Sequence, residues 1–385
     1  MSEWKEVILG DVIDTNTQSI GREYPYSEIK YLDTGSITCN RIDSLQTYKL
    51  NEAPSRAKRL VKNGDIIYSS VRPNQLHYGF IENPIENLVV STGFVVITCK
   101  KEALEPQFLY YFLSQESTTE YLHSIAEAST STYPSLKPSD IEALELLLPS
   151  IQVQKTIASI LRSIDDKINL LKRQSFVLEK LAEILFKKWF LEEAKEEWNE
   201  LPLSKIAVFL NGLACQKFPP KSEIDKLPVL KIKELSSGIT ENSDWASTDI
   251  KPEYIVRNGD VIFAWSASLM VKIWEGQDCI LNQHLFKVTS ADYPKWFYYL
   301  WCKHHLAEFI SIAASHATTM GHIKRGDLDE AKVLIPSPDE LAVMTEQAEP
   351  LIQKIIENNI QINTLIKLRY SLLPKLMSGE VTVEI

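Results

Sequence analysis

Long apolar runs and paired cysteines are both missing from this chain of 385 residues. No apolar stretch approaches the roughly 20 residues that a membrane-spanning helix needs. The N-terminus is polar and lacks the basic and apolar regions of a signal peptide. The five cysteines include no CxxC spacing, which is typical of reduced thiols and argues against a disulfide framework. We therefore expect a cytoplasmic protein without membrane contact.

Signatures of catalysis are equally scarce. The 13 glycines form no glycine-rich run, so the chain lacks both a methyltransferase cofactor loop and a G-x-x-x-x-G-K-S/T phosphate loop. Asn83-Pro84-Ile85 is not the Asn/Asp-Pro-Pro-aromatic motif of an adenine methyltransferase, and H-E-x-x-H and G-x-S-x-G are absent. Cys302 lies beside His304 and His305, but no second ligand pair is near, which favours packing over a metal site. These absences predict a non-catalytic binding protein that holds no cofactor or metal.

Charge is unevenly distributed along the chain. The formal net charge is −10, which argues against a simple DNA coat. Residues 1–149 hold 13 basic and 20 acidic side chains, residues 198–336 hold 15 and 16, and residues 150–190 hold 8 and 4. Any basic stripe for nucleic acid must therefore be local. A second, basic protein is expected to supply much of the phosphate affinity.

The most informative feature that is present is an internal repeat. Residues 61–68 (VKNGDIIY) return as residues 256–263 (VRNGDVIF), and Trp4 with Leu9 returns as Trp198 with Leu203. Leu-Pro-Ser at 148–150 also returns as Ile-Pro-Ser at 335–337. A period this long indicates a duplicated domain and not a solenoid of short repeats. Two similar halves suit a target with two halves, and double-stranded DNA with two half-sites is the leading example.

The pattern of each copy predicts a mixed α/β domain. Runs such as residues 66–69 and 93–98 are rich in β-branched and aromatic residues, as strands are. Residues 107–113 and 296–301 predict helices. Asp65 and Asp260 occupy equivalent turns, where capping is expected rather than metal binding. The predicted plan is two target-reading domains and two long helices, with boundaries at 1–149, 150–194, 195–336 and 337–385.

Both helical segments carry an apolar seam. Residues 151–190 contain no glycine or proline and show the a/d spacing of a coiled coil. Residues 350–377 repeat the pattern, but Asn358 and Arg369 interrupt it, and Pro350 and Pro374 mark expected ends or kinks. An antiparallel pair is predicted because a whole domain separates the segments; ordinary core packing and a dimer interface are the alternatives. The predicted seam residues are Ile157, Leu161, Ile164, Ile168, Leu171, Leu178, Leu185, Leu351, Ile355, Ile362, Leu365 and Leu372.

Positions that differ between the copies are the natural readers of two different half-sites. Arg, Asn and Gln read base edges through bidentate hydrogen bonds, whereas hydroxyls and basic side chains hold phosphates. A surface helix is the alternative for the basic cluster near residue 58, and local hydrogen bonding is the alternative for His284. The candidate DNA-binding residues are Arg56, Lys58, Arg59, Arg72, Asn74, Gln75, His77, Tyr78, Ser129, Thr130, Ser131, Thr132, Tyr133, Trp265, Ser266, Ser268, His284, His316, Thr318, Thr319, His322 and Lys324.

The order of these motifs resembles the specificity subunit of Type I restriction-modification systems. The cues are Trp-x-x-x-x-Leu at each domain start, Asn-Gly-Asp-Ile/Val-Ile inside each domain, and Leu-Pro-Ser or Ile-Pro-Ser before each long helix. Residues 281–286 (LNQHLF) and 373–381 (LPKLMSGEV) also look like family blocks. The resemblance covers essentially the whole chain, and the twofold repetition of the order makes it specific.

The resemblance implies that each globular domain recognises one half of a bipartite DNA sequence. The helices would set the spacing and dock two adenine methyltransferase subunits, and restriction and motor subunits would join them. S-adenosylmethionine, ATP and magnesium would be bound only by those partners. The alternatives are a stand-alone DNA endonuclease or methyltransferase, and a coiled-coil scaffold that never contacts DNA.

Overall fold

A computed structural model describes residues 4–100, 103–128, 134–240, 242–315 and 321–383. The chain forms two compact units, the first comprising Met1–Asp166 with Lys367–Ile385 and the second Lys167–Ile366. Each unit combines one of the predicted globular domains with parts of both long helices. Among the described residues, no helix is long and apolar enough to cross a membrane.

Unit 1 is a mixed α/β unit. Its short helices are α1 (Leu9–Val12), α2 (Pro106–Leu113), α3 (Glu116–Glu127) and α4 (Pro138–Glu142). Its sheets have the strand orders β1-β12, β6-β3-β10-β7 and β2-β11-β8-β9, together with a β4-β5 hairpin. The strands are β1 (Lys5–Ile8), β2 (Ile13–Thr15), β3 (Glu28–Leu32), β4 (Ile37–Thr38), β5 (Arg41–Ile42), β6 (Gln46–Lys49), β7 (Ala57–Leu60), β8 (Ile66–Ser69), β9 (Tyr78–Phe80), β10 (Leu88–Ser91), β11 (Phe94–Cys99) and β12 (Glu145–Leu148).

Unit 2 repeats this architecture. The helices that follow α4 along the chain are α5 (Ile151–Lys187), α6 (Leu203–Ile206), α7 (Ile232–Ser237), α8 (Lys295–His304), α9 (Leu306–Ser315), α10 (Arg325–Glu330) and α11 (Pro338–Met377). The strands are β13 (Asn199–Pro202), β14 (Val208–Asn211), β15 (Lys226–Leu230), β16 (Trp245–Ser247), β17 (Ile255–Val256), β18 (Val261–Ala264), β19 (Met270–Ile273), β20 (Cys279–Leu281), β21 (Leu285–Thr289) and β22 (Lys332–Ile335).

The sheet topology confirms the duplication. The orders β13-β22, β16-β15-β20-β17 and β14-β21-β18-β19 in unit 2 match those of unit 1 strand for strand. One parallel pair occurs at the same place in each copy, β3 with β10 and β15 with β20. The predicted mixed α/β class is therefore confirmed.

The repeated Asn-Gly-Asp sequence forms the same turn before β8 and before β18. Gly64 and Gly259 have φ values of 89° and 88°, which favour glycine because it has no Cβ. The Asp65 carboxylate accepts a hydrogen bond from the Lys62 amide at 2.8 Å, and that of Asp260 accepts one from the Arg257 amide at 2.8 Å. The predicted capping role of both aspartates is confirmed.

Both helical seams are buried as predicted. Ile157, Leu161, Ile164, Ile168 and Leu171 of α5 are buried, and the remaining predicted seam positions of α5 and α11 are buried or half-buried. Contacts join residues 165 and 369 within unit 1 and residues 175 and 358 within unit 2. Partner numbers fall as the α5 numbers rise, which is the order of an antiparallel pair.

Neither Pro350 nor Pro374 ends the helix, which was one of the two expected outcomes, and a kink at either proline stays a prediction. Helix α11 runs from Pro338 to Met377 through both prolines. Each proline is exposed, so water can bond the carbonyl that the missing proline N–H leaves free. Packing of the opposite, buried side of α11 then keeps the helix continuous.

The two polar interruptions of the seam have partners on α5. Asn358 is fully buried in unit 2 and donates hydrogen bonds to the Gln174 Oε1 atom (3.1 Å) and the Ser175 Oγ atom (3.2 Å). In unit 1 the Arg369 guanidinium lies 2.7 Å from the Asp165 carboxylate. Both interruptions therefore have polar partners on α5, although the Asn358 side-chain oxygen is buried without one.

Candidate nucleic-acid interface

In unit 1 the chain leaves β8 through a tight loop, residues 70–77. Arg72 and Leu76 have left-handed backbone conformations, with φ values of 49° and 58°, which cost a residue with a Cβ on the order of 1–2 kcal/mol. The Arg72 amide donates to the Pro134 carbonyl at 3.1 Å, and the Leu136 amide donates to the Ser70 carbonyl at 2.7 Å. A strained backbone that its surroundings hold in place is typical of a functional site.

Unit 2 repeats this anchoring after β18. Ala267 has a φ of 57°. Its amide donates to the Gly321 carbonyl at 2.8 Å, and the Ile323 amide donates to the Trp265 carbonyl at 3.1 Å. The duplication therefore preserves the strained loop and its support, whereas the side chains on the loop differ.

The unit 1 loop presents three of its predicted readers to solvent. Arg72, Asn74 and Gln75 are exposed, the last two on a 3-10 turn, Pro73–Gln75. His77 is half-buried, and its Nδ1 atom lies 2.6 Å from the Ile37 carbonyl oxygen. The prediction for Tyr78 is wrong: this side chain is 6% exposed and stacks on Tyr68 at 5.7 Å, so it belongs to the core.

The unit 2 loop presents an aromatic group instead. The half-buried Trp265 ring stacks on Phe286 at 5.6 Å, and its Nε1 atom donates to Asn211 Oδ1 at 3.0 Å. The exposed rings of His284 and His322 lie 6.0 and 6.3 Å from it. These three predicted residues are therefore brought together.

Two serines complete the predicted set on this loop. Ser266 is buried, and its Oγ atom lies 3.2 Å from the Nδ1 atom of His284. His284 therefore makes the local hydrogen bond that was the alternative for it, while its ring stays exposed. Ser268 is exposed beside them. Burial argues against a direct DNA contact by Ser266, as it does for Tyr78, whereas contact of Trp265, Ser268, His284 and His322 with DNA remains a prediction.

The predicted basic cluster lies on β7 and on the residue just before this strand, so the surface-helix alternative is wrong. Arg56 and Lys58 are exposed, whereas Arg59 is half-buried. Burial lowers the pKa of the Arg59 guanidinium, which nevertheless stays charged. The Thr92 amide donates to the Arg56 carbonyl at 2.8 Å, and the Ser70 amide donates to the next carbonyl, that of Gly93, at 2.8 Å. Arg56 therefore lies close to the start of the strained loop.

Two predicted hydroxyl tracts fall outside the described residues. They comprise Ser129, Thr130, Ser131, Thr132 and Tyr133 in the first copy and His316, Thr318 and Thr319 in the second. The first described residues after each tract belong to the segments that anchor the strained loops.

Sequence reasoning missed one basic position, Lys137, which is the counterpart of the predicted Lys324. Lys324 is exposed after the second tract, and its amide donates to Asp327 at 2.7 Å to begin α10. Lys137 makes the same bond to Asp140 at 2.6 Å before α4. The repeat offset between 150 and 337 would have paired Lys137 with Lys324. Lys137 therefore joins the candidate set.

The metal alternative at Cys302, His304 and His305 is not supported. Cys302 is fully buried, and burial raises the pKa of its thiol. The His305 Nε2 atom lies 2.8 Å from the Lys332 carbonyl oxygen, and the His304 ring packs against Phe186 at 5.5 Å. The described part of the chain holds no group of three or more His, Cys, Asp or Glu side chains suited to a metal. Cys302 and His305 lie in the core of unit 2, and the exposed His304 contacts the edge of that core.

Known specificity subunits of Type I restriction enzymes are similar to this chain. The Type I restriction enzyme HindI specificity subunit of Haemophilus influenzae is 23% identical over 463 residues, covering 99% of this chain and all of that protein. The MjaIX specificity subunit of Methanocaldococcus jannaschii is 28% identical and covers 85% of this chain and 79% of that protein. The crystal structure of a Type I S subunit from M. genitalium superposes with a TM-score of 0.57 at 16% identity, covering 98% of this chain and 96% of that one. The structural likeness shows a shared fold.

A family model accounts for both copies of the repeat. The Type I restriction modification DNA specificity domain matches residues 1–180 and again residues 195–368. Each match contains one strained loop with its anchoring segment and most of one of the two long helices. Together the matches cover far more than half of the chain, which therefore belongs to the Type I restriction-modification DNA specificity family.

Proposed function

We propose that this chain is the DNA-sequence-specificity subunit of a Type I restriction-modification complex, with each duplicated domain reading one half of a bipartite target. The duplicated strained loop is the observation that carries this proposal. Its backbone and anchoring hydrogen bonds recur in both units, while the side chains at the loop differ: exposed guanidinium and amide groups in unit 1, and in unit 2 the half-buried Trp265 indole beside the exposed imidazoles of His284 and His322. A common scaffold with different readers suits two different half-sites.

The long helices set the spacing between the half-sites and dock two adenine methyltransferase subunits. Apolar side chains on the outer side of α5 support a docking role. Single exposed apolar residues are ordinary on a protein surface, but a row of them marks an interaction surface. Leu170, Val177, Leu181 and Ile184 are all exposed and recur at the three-, four- and seven-residue spacing of one helix face. Restriction and motor subunits complete the assembly.

The chain itself is non-catalytic and sets which adenine is presented. S-adenosylmethionine, ATP and magnesium are cofactors of the partner subunits. The methyltransferase flips the target base into its own pocket, at a cost of a few kcal/mol. Much of the phosphate neutralisation also falls to the partners, since this chain carries a net charge of −10.

The test is to co-express this chain with its neighbouring methyltransferase subunit and to map adenine methylation across the host genome. We expect a split motif, two short blocks of fixed sequence separated by a fixed unspecified gap. A stable complex that adds no methylation would contradict the proposal and favour a coiled-coil scaffold. Cleavage or S-adenosylmethionine binding by the purified chain alone would favour an independent enzyme.

The double substitution Asn74→Ala and Gln75→Ala should relax one half of that motif and leave the other half unchanged. Both amides are exposed on the unit 1 loop, and each bidentate contact to a base discriminates by about 1–3 kcal/mol. The control is Asn51→Ala, an exposed asparagine on another turn of the same unit. Relaxation of both halves, or an identical effect in the control, would contradict the assignment of this loop as a reader.

A further inference from the structure

The β4-β5 hairpin of unit 1 has no counterpart among the described residues of unit 2. In unit 1 the chain after β3 forms a 3-10 turn, Thr34–Ser36, and then the hairpin. In unit 2 the chain after the equivalent strand β15 forms the helix α7. The surrounding sheets are the same in both copies, so the hairpin is an element in which the two recognition units differ.

The turn of this hairpin is strained. Ile37 pairs with Ile42 and Thr38 with Arg41, which leaves Cys39 and Asn40 as a two-residue turn. Both have left-handed backbone conformations, with φ values of 46° and 65°, as a type I′ turn requires and as cysteine rarely adopts. Something must hold the turn in this conformation.

The hairpin is held by the end of the candidate reading loop and by β9, the strand that follows it. The Cys39 amide donates to the Leu76 carbonyl and the Asn40 amide to the Tyr78 carbonyl, both at 2.9 Å. The Asn40 side-chain oxygen accepts from the Phe80 amide at 2.8 Å. Gly79 lies beneath, where a Cβ would come within 2.5 Å of an Ile37 methyl carbon. These contacts join the hairpin to the end of the loop 70–77.

The hairpin presents a guanidinium group from this surface. The Arg41 side chain is 79% exposed, and its Nη2 atom lies 3.1 Å from the Asp43 carboxylate. An exposed pair of this kind adds little to stability. The carboxylate engages one side of the guanidinium and orients it, leaving its other N–H groups available. It also offsets the positive charge, which disfavours a phosphate as the partner of Arg41.

We propose that Arg41, oriented by Asp43, reads a guanine in the half-site bound by unit 1. A two-stranded ribbon fits the major groove, and an Arg side chain that bonds the O6 and N7 atoms of guanine is its commonest specific contact. This inference rests on the proposed function of the chain. It adds to unit 1, beside the loop, a second reading element that has no match in the described part of unit 2.

The test compares the methylation motifs made by the complete methyltransferase complex with wild-type chain, Arg41→Ala and Arg41→Lys. We expect Arg41→Ala to relax one G·C position in one half of the motif, with discrimination there falling roughly 5- to 150-fold. Arg41→Lys should retain part of the preference. The other half should be unchanged, which also shows that the variant complex is folded. Arg22→Ala, an exposed arginine of the same unit, is the matched control and should leave the motif intact.

Three results would overturn the inference. The first is an Arg41→Ala motif identical to that of the wild type. The second is a loss of DNA affinity that is the same for all sequences, together with a slope of log affinity against log salt concentration that is smaller by about one. That result identifies a phosphate contact. The third concerns the half-site that the Asn74→Ala with Gln75→Ala variant alters. The inference fails if this half-site contains no G·C pair in the wild-type motif. A wild-type complex that yields no split motif would instead overturn the proposed function.

Discussion

Arg369→Met is expected to lower the free energy of unfolding of unit 1 by about 3 kcal/mol. The Arg369 guanidinium lies 2.7 Å from the Asp165 carboxylate, and the two side chains are only 18% and 28% exposed. Asp165 also accepts a hydrogen bond from the Tyr111 hydroxyl at 3.0 Å. Removing the cation leaves a carboxylate that is largely shielded from water and has lost its countercharge. Urea denaturation of the full chain, followed by circular dichroism, measures the change.

The pH dependence of this loss has a definite sign. Burial raises the pKa of Asp165 above its ordinary value, and Arg369 opposes that rise. A raised carboxyl pKa stabilises the folded state at acid pH, and this contribution is lost as pH rises through the folded-state pKa. Arg369→Met removes the opposing charge, so the loss of stability should be larger near pH 7 than near pH 5, where more of the isolated carboxyl is protonated.

The double variant Asp165→Leu with Arg369→Met is the control. Replacing both members of a buried ion pair with apolar side chains is often close to neutral, although Tyr111 loses its acceptor here. We expect its stability to lie within about 1–2 kcal/mol of the wild type. A double variant as unstable as Arg369→Met would show that packing, and not the unpaired charge, causes the loss.

A matched insertion of one heptad in both long helices should move methylation to a new set of sites. The design duplicates residues 168–174 in α5 and residues 360–366 in α11. Seven residues lengthen each helix by about 10 Å, which corresponds to at most about 3 base pairs of DNA. Both half-sites should keep their sequences, the gap between them should lengthen, and modification of the original motif should fall to background. Genome-wide mapping of methylated adenines reads out all three effects.

The matched design follows from the antiparallel order of the seam. Ile168 and Leu171 are buried on α5, as is Ile362 on α11, and the duplicated segments contain neither the Asp165–Arg369 pair nor Asn358. The control inserts the heptad in α5 alone, which shifts one side of the seam against the other and should lower stability without producing a new fixed gap. A changed half-site sequence in the matched variant would contradict the role of the helices in spacing.

Periodicity is what the sequence by itself determined about this protein. The repeat of residues 61–68 at 256–263 established two similar domains, and the seven-residue spacing from Ile157 predicted a seam that is buried in the structure. The Asn-Gly-Asp turns were also predictable. In each case a local pattern suffices, because a helix face and a turn are set by residues close together in the chain.

Tertiary packing decided the rest. The alternation of polar and apolar residues did not show that Tyr78 faces the core while Asn74 and Gln75 face solvent, because the loop reverses direction between them. Pro350 lies within a continuous helix because burial of the opposite side of α11 offsets one lost hydrogen bond. Asn358 and Arg369 found polar partners about 200 residues earlier in the sequence, at Gln174 and Asp165. The strained loops and the Arg41 hairpin depend on hydrogen bonds between distant segments, which no local pattern records.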